Sequence, residues 1–134
     1  MVTMRILCSM IGMALAIWGA PAHAAGDPHL SPSYNVCMKK AVSTLDLMSC
    51  IQTEYDVQDR RLNDNYKALL KNLDEDRKRQ LQETQRLWLK YVEANCGFYN
   101  NPNGGSAHRV MAADCTVQER ARRATELADL AKME

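Results

Sequence analysis

From Ser43 to Cys96 the apolar residues recur at intervals of three and four with one break, near Leu73-Asp74, and this spacing commits the segment to two consecutive amphipathic helices. The first stripe runs Met48, Ile51, Tyr55, Leu62, Tyr66, Leu69 and Leu73. The second runs Leu81, Gln85, Trp88, Val92 and Cys96. Ser43-Thr44-Leu45-Asp46 has the form of a capped helix start, and Asp74-Glu75-Asp76 suits the positive N-terminal end of the next helix. So short a turn implies an antiparallel hairpin.

Polar or half-polar side chains break into both stripes: Asp59, Asn63, Tyr66, Gln85 and Trp88. Packing alone would favour Leu or Ile there, because a buried polar group without a partner costs about 1–3 kcal/mol. Folding the chain back near residue 74 sets Asn63 and Tyr66 opposite Leu81 to Gln85, and Asp59 opposite Trp88 to Val92. These groups are therefore expected to form one buried network that fixes helix register.

Tyr99 to Gly105, with Asn100-Asn101-Pro102-Asn103-Gly104-Gly105, reads as a loop too rich in helix breakers to continue the second helix. Ser106 then reads as the cap of a third helical stretch reaching about Ala131, with a second start signature, Thr116-Val117-Gln118-Glu119, interrupting it. A short helical segment is expected around Tyr34 to Ala41, after a turn-rich stretch from Gly26 to Pro32 that carries no visible chemistry. With no alternating strand pattern and no repeat, the fold class is all-α: a small helical domain built on an antiparallel hairpin plus a third helix.

Arg5 precedes an apolar run from Ile6 to Trp18, and Ala22-His23-Ala24 has the small-x-small form cut by signal peptidase. Residues 1–24 are read as a removed export signal and 25–134 as one domain in the periplasm. The apolar run is shorter than the roughly 20 residues that span a bilayer, and Pro21 follows it. Cys8 lies too close to Arg5 for a lipid anchor. Removing Arg5 with the leader leaves sixteen basic groups against sixteen acidic, a balance that argues against a nucleic-acid partner.

Cys37, Cys50, Cys96 and Cys115 remain, an even number that implies two disulfides in an oxidising compartment. Three connectivities are open. Local pairing favours Cys37–Cys50 and Cys96–Cys115, although the hairpin also brings Cys50 near Cys96. No close C-x2-C pair points to zinc, and C-x-x-C-H for haem is absent, so neither metal nor cofactor is expected. Only His29 and His108 follow the leader, and no nucleophile with a base is visible, so the chain does not read as an enzyme. Arg120, Arg122 and Arg123, between Glu119 and Glu126, read mostly as a solvated face, with Arg123 paired to a carboxylate.

Taken together, Asp59-x-x-Leu62-Asn63-x-x-Tyr66, Gln85-Arg86-x-Trp88-x-x-Tyr91-x-x-x-x-Cys96, Gly104-Gly105-Ser106, Cys115 and Arg123-x-x-Glu126-Leu127 resemble the LprI-type lysozyme inhibitor family. The resemblance covers nearly all of the chain after the leader. It implies an exported, cysteine-bridged helical domain and, for the namesake, a surface lipoprotein that inhibits lysozyme. Two departures stand out: Val92 occupies a position where the family usually carries Arg, and no lipid site is evident.

Two functions follow as expectations. The first is a lysozyme inhibitor that occludes the peptidoglycan cleft, where a protonated acid and an ionised carboxylate act on the sugar. The loop Asn103, Gly104, Gly105, Ser106, His108 and Arg109 is its candidate contact, since it combines backbone freedom with hydroxyl and cationic donors. The second is a non-catalytic periplasmic interaction module. Export predicts a protein that begins at Ala25, and intact-mass measurement of periplasmic material tests this; a species retaining Met1 overturns it.

Overall fold

The computed structural model describes residues 27–134, so the expected export leader, residues 1–24, lies outside the described residues. Four helices follow one another: α1 (Pro32–Lys40), α2 (Thr44–Asn72), α3 (Glu75–Tyr99) and α4 (Gly105–Leu130). None of the described helices is long and apolar enough to cross a membrane.

Helix starts follow local chemistry. Ser31 caps α1, with Pro32 in its first turn; Ser43 and Asp46 close a reciprocal capping box on α2; Asp74 accepts from the Arg77 amide at the head of α3. The Ser43 hydroxyl, first among the causes, also holds the Asp46 carboxyl below its usual range. At α4 the expected cap is corrected. Gly104 occupies the cap position and Gly105 takes φ +67°, which favours glycine, so Ser106 lies inside the first turn. The expected break at Thr116 is also absent, because its hydroxyl donates to the Ala112 carbonyl one turn back and the helix continues.

α4 is the central element. It packs along α2 and, less extensively, against α3, while the backbones of α2 and α3 make almost no close approach to each other. The chain does reverse at Asp74, but the stripe of α2 is buried by α4 rather than by α3. Val117, Ala121, Ala124 and Leu127 form the fully buried seam of α4, and the two alanines let α2 lie close. One core cluster gathers Leu62, Leu69, Leu73, Leu81, Ala124 and Leu127; a second gathers Tyr34, Cys50, Ile51 and Val117.

Between these clusters along α2 sits a polar layer that the apolar pattern hid. Glu54, 2% exposed, accepts from the Ser31 amide at 2.8 Å, the Ser31 hydroxyl at 2.5 Å and Gln58 Nε2 at 2.7 Å. Arg61 donates to Gln58 Oε1, the His29 carbonyl and Thr125 Oγ1. The Thr125 proton goes to the Ala121 carbonyl, so His29 Nδ1, 3.1 Å away, donates to Thr125. The supposedly idle stretch before α1 is thus strapped to α2 and α4. Its polar groups are what make burial of Glu54 tolerable.

The bridges are Cys37–Cys50, joining α1 to α2, and Cys96–Cys115, joining α3 to α4, with Cα separations of 5.7 and 5.5 Å. In the chain-entropy model loops of this length stabilise a fold by about 3 kcal/mol each. They fit an oxidising compartment.

The Tyr34 hydroxyl donates to Asp114 of α4, and burial first, then that bond, pushes its ionisation far above the ordinary tyrosine range. The folded state therefore holds this proton where the unfolded chain releases it near pH 10. The associated stability is fully present below about pH 10 and is lost as pH rises further, by up to about 1.4 kcal/mol per pH unit. Urea titrations at pH 8 to 11 should show that decline, and Tyr34→Phe should flatten it while lowering stability at pH 8.

Candidate functional site

The polar residues singled out in the sequence do not form one network. Arg120 and Arg123 of α4, expected on a solvated face, turn inward and divide them. Arg120 Nε donates to Asp59 Oδ1 at 3.2 Å, and its guanidinium lies 4.4 Å from the Tyr55 ring centroid. Asn63 Nδ2 donates to the Asp59 carboxylate at 3.0 Å but is itself exposed, and the Asp59 side chain is 41% exposed. The expected burial of Asn63 is thus corrected: α4 fills the seam that the folded-back hairpin was to close.

Arg123, 6% exposed, donates from Nε to Gln85 Oε1 at 3.0 Å and from Nη1 to Glu126 at 2.8 Å. Its guanidinium stands 6.0 Å over the Trp88 ring, and Nη2 is buried without a hydrogen-bond partner among the described residues. The indole face is the compensating neighbour for that cation. Gln85 is buried, while Tyr66 and Trp88 are half-buried.

The strongest candidate for a partner surface is the end of the bundle that carries both disulfides. Here α1 and α3 end and α2 and α4 begin, and Thr44 Oγ1 reaches Ser106 Oγ at 3.4 Å, linking the two turns. Large apolar side chains stand in solvent at this end: Val42 at 94% exposure, Leu45, Phe98 at 87%, Tyr99 and Met111. Phe98 and Tyr99 meet edge to face, 6.3 Å between centroids, and with Pro102, His108 and Met111 they border an open hollow of about 520 Å³. Nothing in the core requires these residues. Exposed apolar side chains gathered at one end of a bundle in this way mark interaction sites.

The expected contact segment, Asn103 to Arg109, lies at the same end but is ordered by its neighbours. His108 Nδ1 donates to the Tyr99 carbonyl at 3.0 Å, and a Cβ on Gly104 would lie 2.0 Å from His108 Cδ2. Ser106 and Arg109 are exposed on the first turn of α4. Sequence reasoning missed Val42, Leu45, Phe98, Tyr99 and Met111. The available signal was large apolar residues placed outside the helical stripes, beside cysteines.

Val92, where the resembled family usually has Arg, is buried and lines an open groove of about 510 Å³ between α3 and α4 with Leu89, Cys96, Ala112, Thr116 and Arg120.

A family model described as lysozyme inhibitor LprI matches residues 37–127, from the first bridged cysteine to the last fully buried leucine of α4. An uncharacterized protein of Rhizobium meliloti (strain 1021) is 27% identical over an alignment of 108 residues, and the match covers 69% of this chain and 76% of that protein. No solved structure matches the chain significantly.

Two separate arginine hubs predict a graded response to substitution. Gln85→Ala should lower stability by about 1–3 kcal/mol, because it strips a partner from a buried cation. Asp59→Ala should cost less than about 1 kcal/mol, as for a half-exposed ion pair. The double variant should be additive within about 0.5 kcal/mol. Chemical denaturation of the three variants measures all of this, and strong coupling would return the residues to one network.

Proposed function

The chain belongs to the LprI lysozyme inhibitor family, and from that membership we propose that it is a periplasmic lysozyme inhibitor that docks through the disulfide-bridged end of its bundle. The observation that carries the docking site is the group of exposed apolar side chains, Phe98 foremost, held between two cross-links. Rim-exposed aromatics on a preorganised frame suit protein binding, since little side-chain and loop entropy remains to be lost on association.

Phe98 and Tyr99 supply the apolar anchor, and Ser106 and Arg109 supply donors beside it. In an engaged lysozyme these donors would lie toward the carboxylates that flank the scissile sugar bond, excluding substrate. His108 acts indirectly, by tying the start of α4 to the end of α3. Export and cleavage after Ala24 would deliver the protein to the compartment where its cysteines oxidise.

Lysis of peptidoglycan by lysozymes of several classes tests the reading. Phe98→Ala should weaken inhibition at least about tenfold, as loss of a hot-spot aromatic does. Arg109→Ala should have a smaller effect that fades as salt rises, and Ser106→Ala and His108→Ala should fall between. Reduction of Cys96–Cys115 should weaken inhibition even while the helices persist. Undiminished inhibition by all four variants would move the site to another face. No inhibition by the folded wild type across lysozyme classes would favour the non-catalytic interaction module.

A further inference from the structure

The α2–α3 groove plays no part in the proposed docking end; Tyr66 and Trp88, which also pack against the apolar cluster, line it together with polar side chains of both helices. Asp59, Asn63 and Tyr66 of α2 and Gln82, Gln85 and Trp88 of α3 line a hollow of about 320 Å³, together with Arg86 of α3 and Arg120 of α4. That volume lies at the small end of ligand pockets.

Charge decides what such a groove can hold. Arg120 is neutralised by Asp59 at 3.2 Å, and Arg86 by Glu83 through two bonds at 2.9 and 2.5 Å. Asp59 also accepts from Asn63. The cations and the carboxylate that border the hollow are already paired, so it offers no unbalanced charge to an anion or a metal ion. Among the described residues no hydrogen bond engages Tyr66 Oη, Trp88 Nε1, Gln85 Nε2, Asn63 Oδ1 or the Gln82 amide. Five neutral donor and acceptor groups thus border one cavity between two aromatic side chains.

Hydroxyl-rich rings match this pattern. Their C–H faces pack on aromatic surface, and their hydroxyls and amides exchange hydrogen bonds with planar amides without a charge to neutralise. We propose that the groove between α2 and α3 is a binding site for an uncharged saccharide, with Trp88 and Tyr66 as the apolar walls and Asn63, Gln82 and Gln85 as the hydrogen-bonding groups. Asp59 and Arg120 serve as positioning residues, holding Asn63 at the rim. This site does not depend on the docking end. A protein with both could slow lysis from either side, by holding the enzyme or by holding glycan.

Isothermal titration calorimetry with tri-N-acetylchitotriose and no lysozyme present tests the site, with Trp88 emission as a second readout. The wild type should bind saturably, with a dissociation constant below about 1 mM. Asn63→Ala and Gln82→Ala remove exposed side chains and should fold normally by circular dichroism while raising that constant at least about tenfold, the worth of one hydrogen bond. Phe98→Ala should bind the saccharide as the wild type does. No saturable heat at 10-fold higher saccharide (about 10 mM), or equal binding by both groove variants, overturns the proposal. Lysozyme binding abolished by Asn63→Ala, with no response to saccharide, would also overturn it and give the groove to a protein partner.

Discussion

Two alanines in the middle of α4 set the architecture. Ala121 and Ala124 are fully buried, and with only a methyl group each they let α2 lie against α4 along most of its length. Larger side chains would push the helices apart and overpack the seam. Because α2 spends its apolar stripe on α4, α3 must find its own place on that helix, and the two outer helices are left facing each other across a groove instead of sealing it. The long side chains of Arg120 and Arg123 then fill the space that the outer helices leave open. They reach Asp59 on one side and Gln85 and Glu126 on the other.

The two ends of the bundle are stabilised by different means, and the difference bears on function. Toward the Asp74 turn, Leu62, Leu69, Leu73, Leu81 and Leu127 form an apolar cluster that needs no covalent help. Toward the other end, Tyr34, Cys50, Ile51 and Val117 make a smaller cluster, and both disulfides lie there. Where burial is thin, cross-links substitute for it, as expected in a domain of this size. That substitution releases Val42, Leu45 and Phe98 from core duty and leaves them in solvent. The proposed docking surface of apolar residues thus sits at an end whose order does not depend on burying them.

Much of the frame was legible in the residues. Periodicity located α2 and α3, the Ser43 and Asp74 caps located their starts, and local cysteine pairing gave both bridges. The buried face of α2 was read about one position off: Met48 is exposed, whereas Glu54 and Gln58 are buried. An apolar pattern cannot reveal a carboxylate whose burial depends on Ser31, 23 residues earlier in the chain. For the same reason Arg120 and Arg123 read as surface, since the partners that draw them inward lie on other helices. Only part of the proposed docking end was singled out in the sequence. The glycine-rich turn drew attention to Ser106 and Arg109, but Phe98 and Met111 look like ordinary helix residues until the helix that might have covered them is known to lie elsewhere.

Val92, the departure from the family pattern, lines the groove between α3 and α4, which shares Leu89 and Arg120 with the groove between α2 and α3. An arginine at this buried position on α3 would bring a third cation toward Arg120, whose only carboxylate partner, Asp59, is already engaged among the described residues. Such a charge would have to find a carboxylate from a ligand or a partner, because an unpaired buried cation is costly. With valine the wall formed by Leu89, Val92 and Cys96 is apolar, and Arg120 needs nothing beyond Asp59 and the Tyr55 ring. The α3–α4 groove thereby keeps an apolar wall beside an arginine whose charge is already balanced, and nothing on that wall calls for an anion.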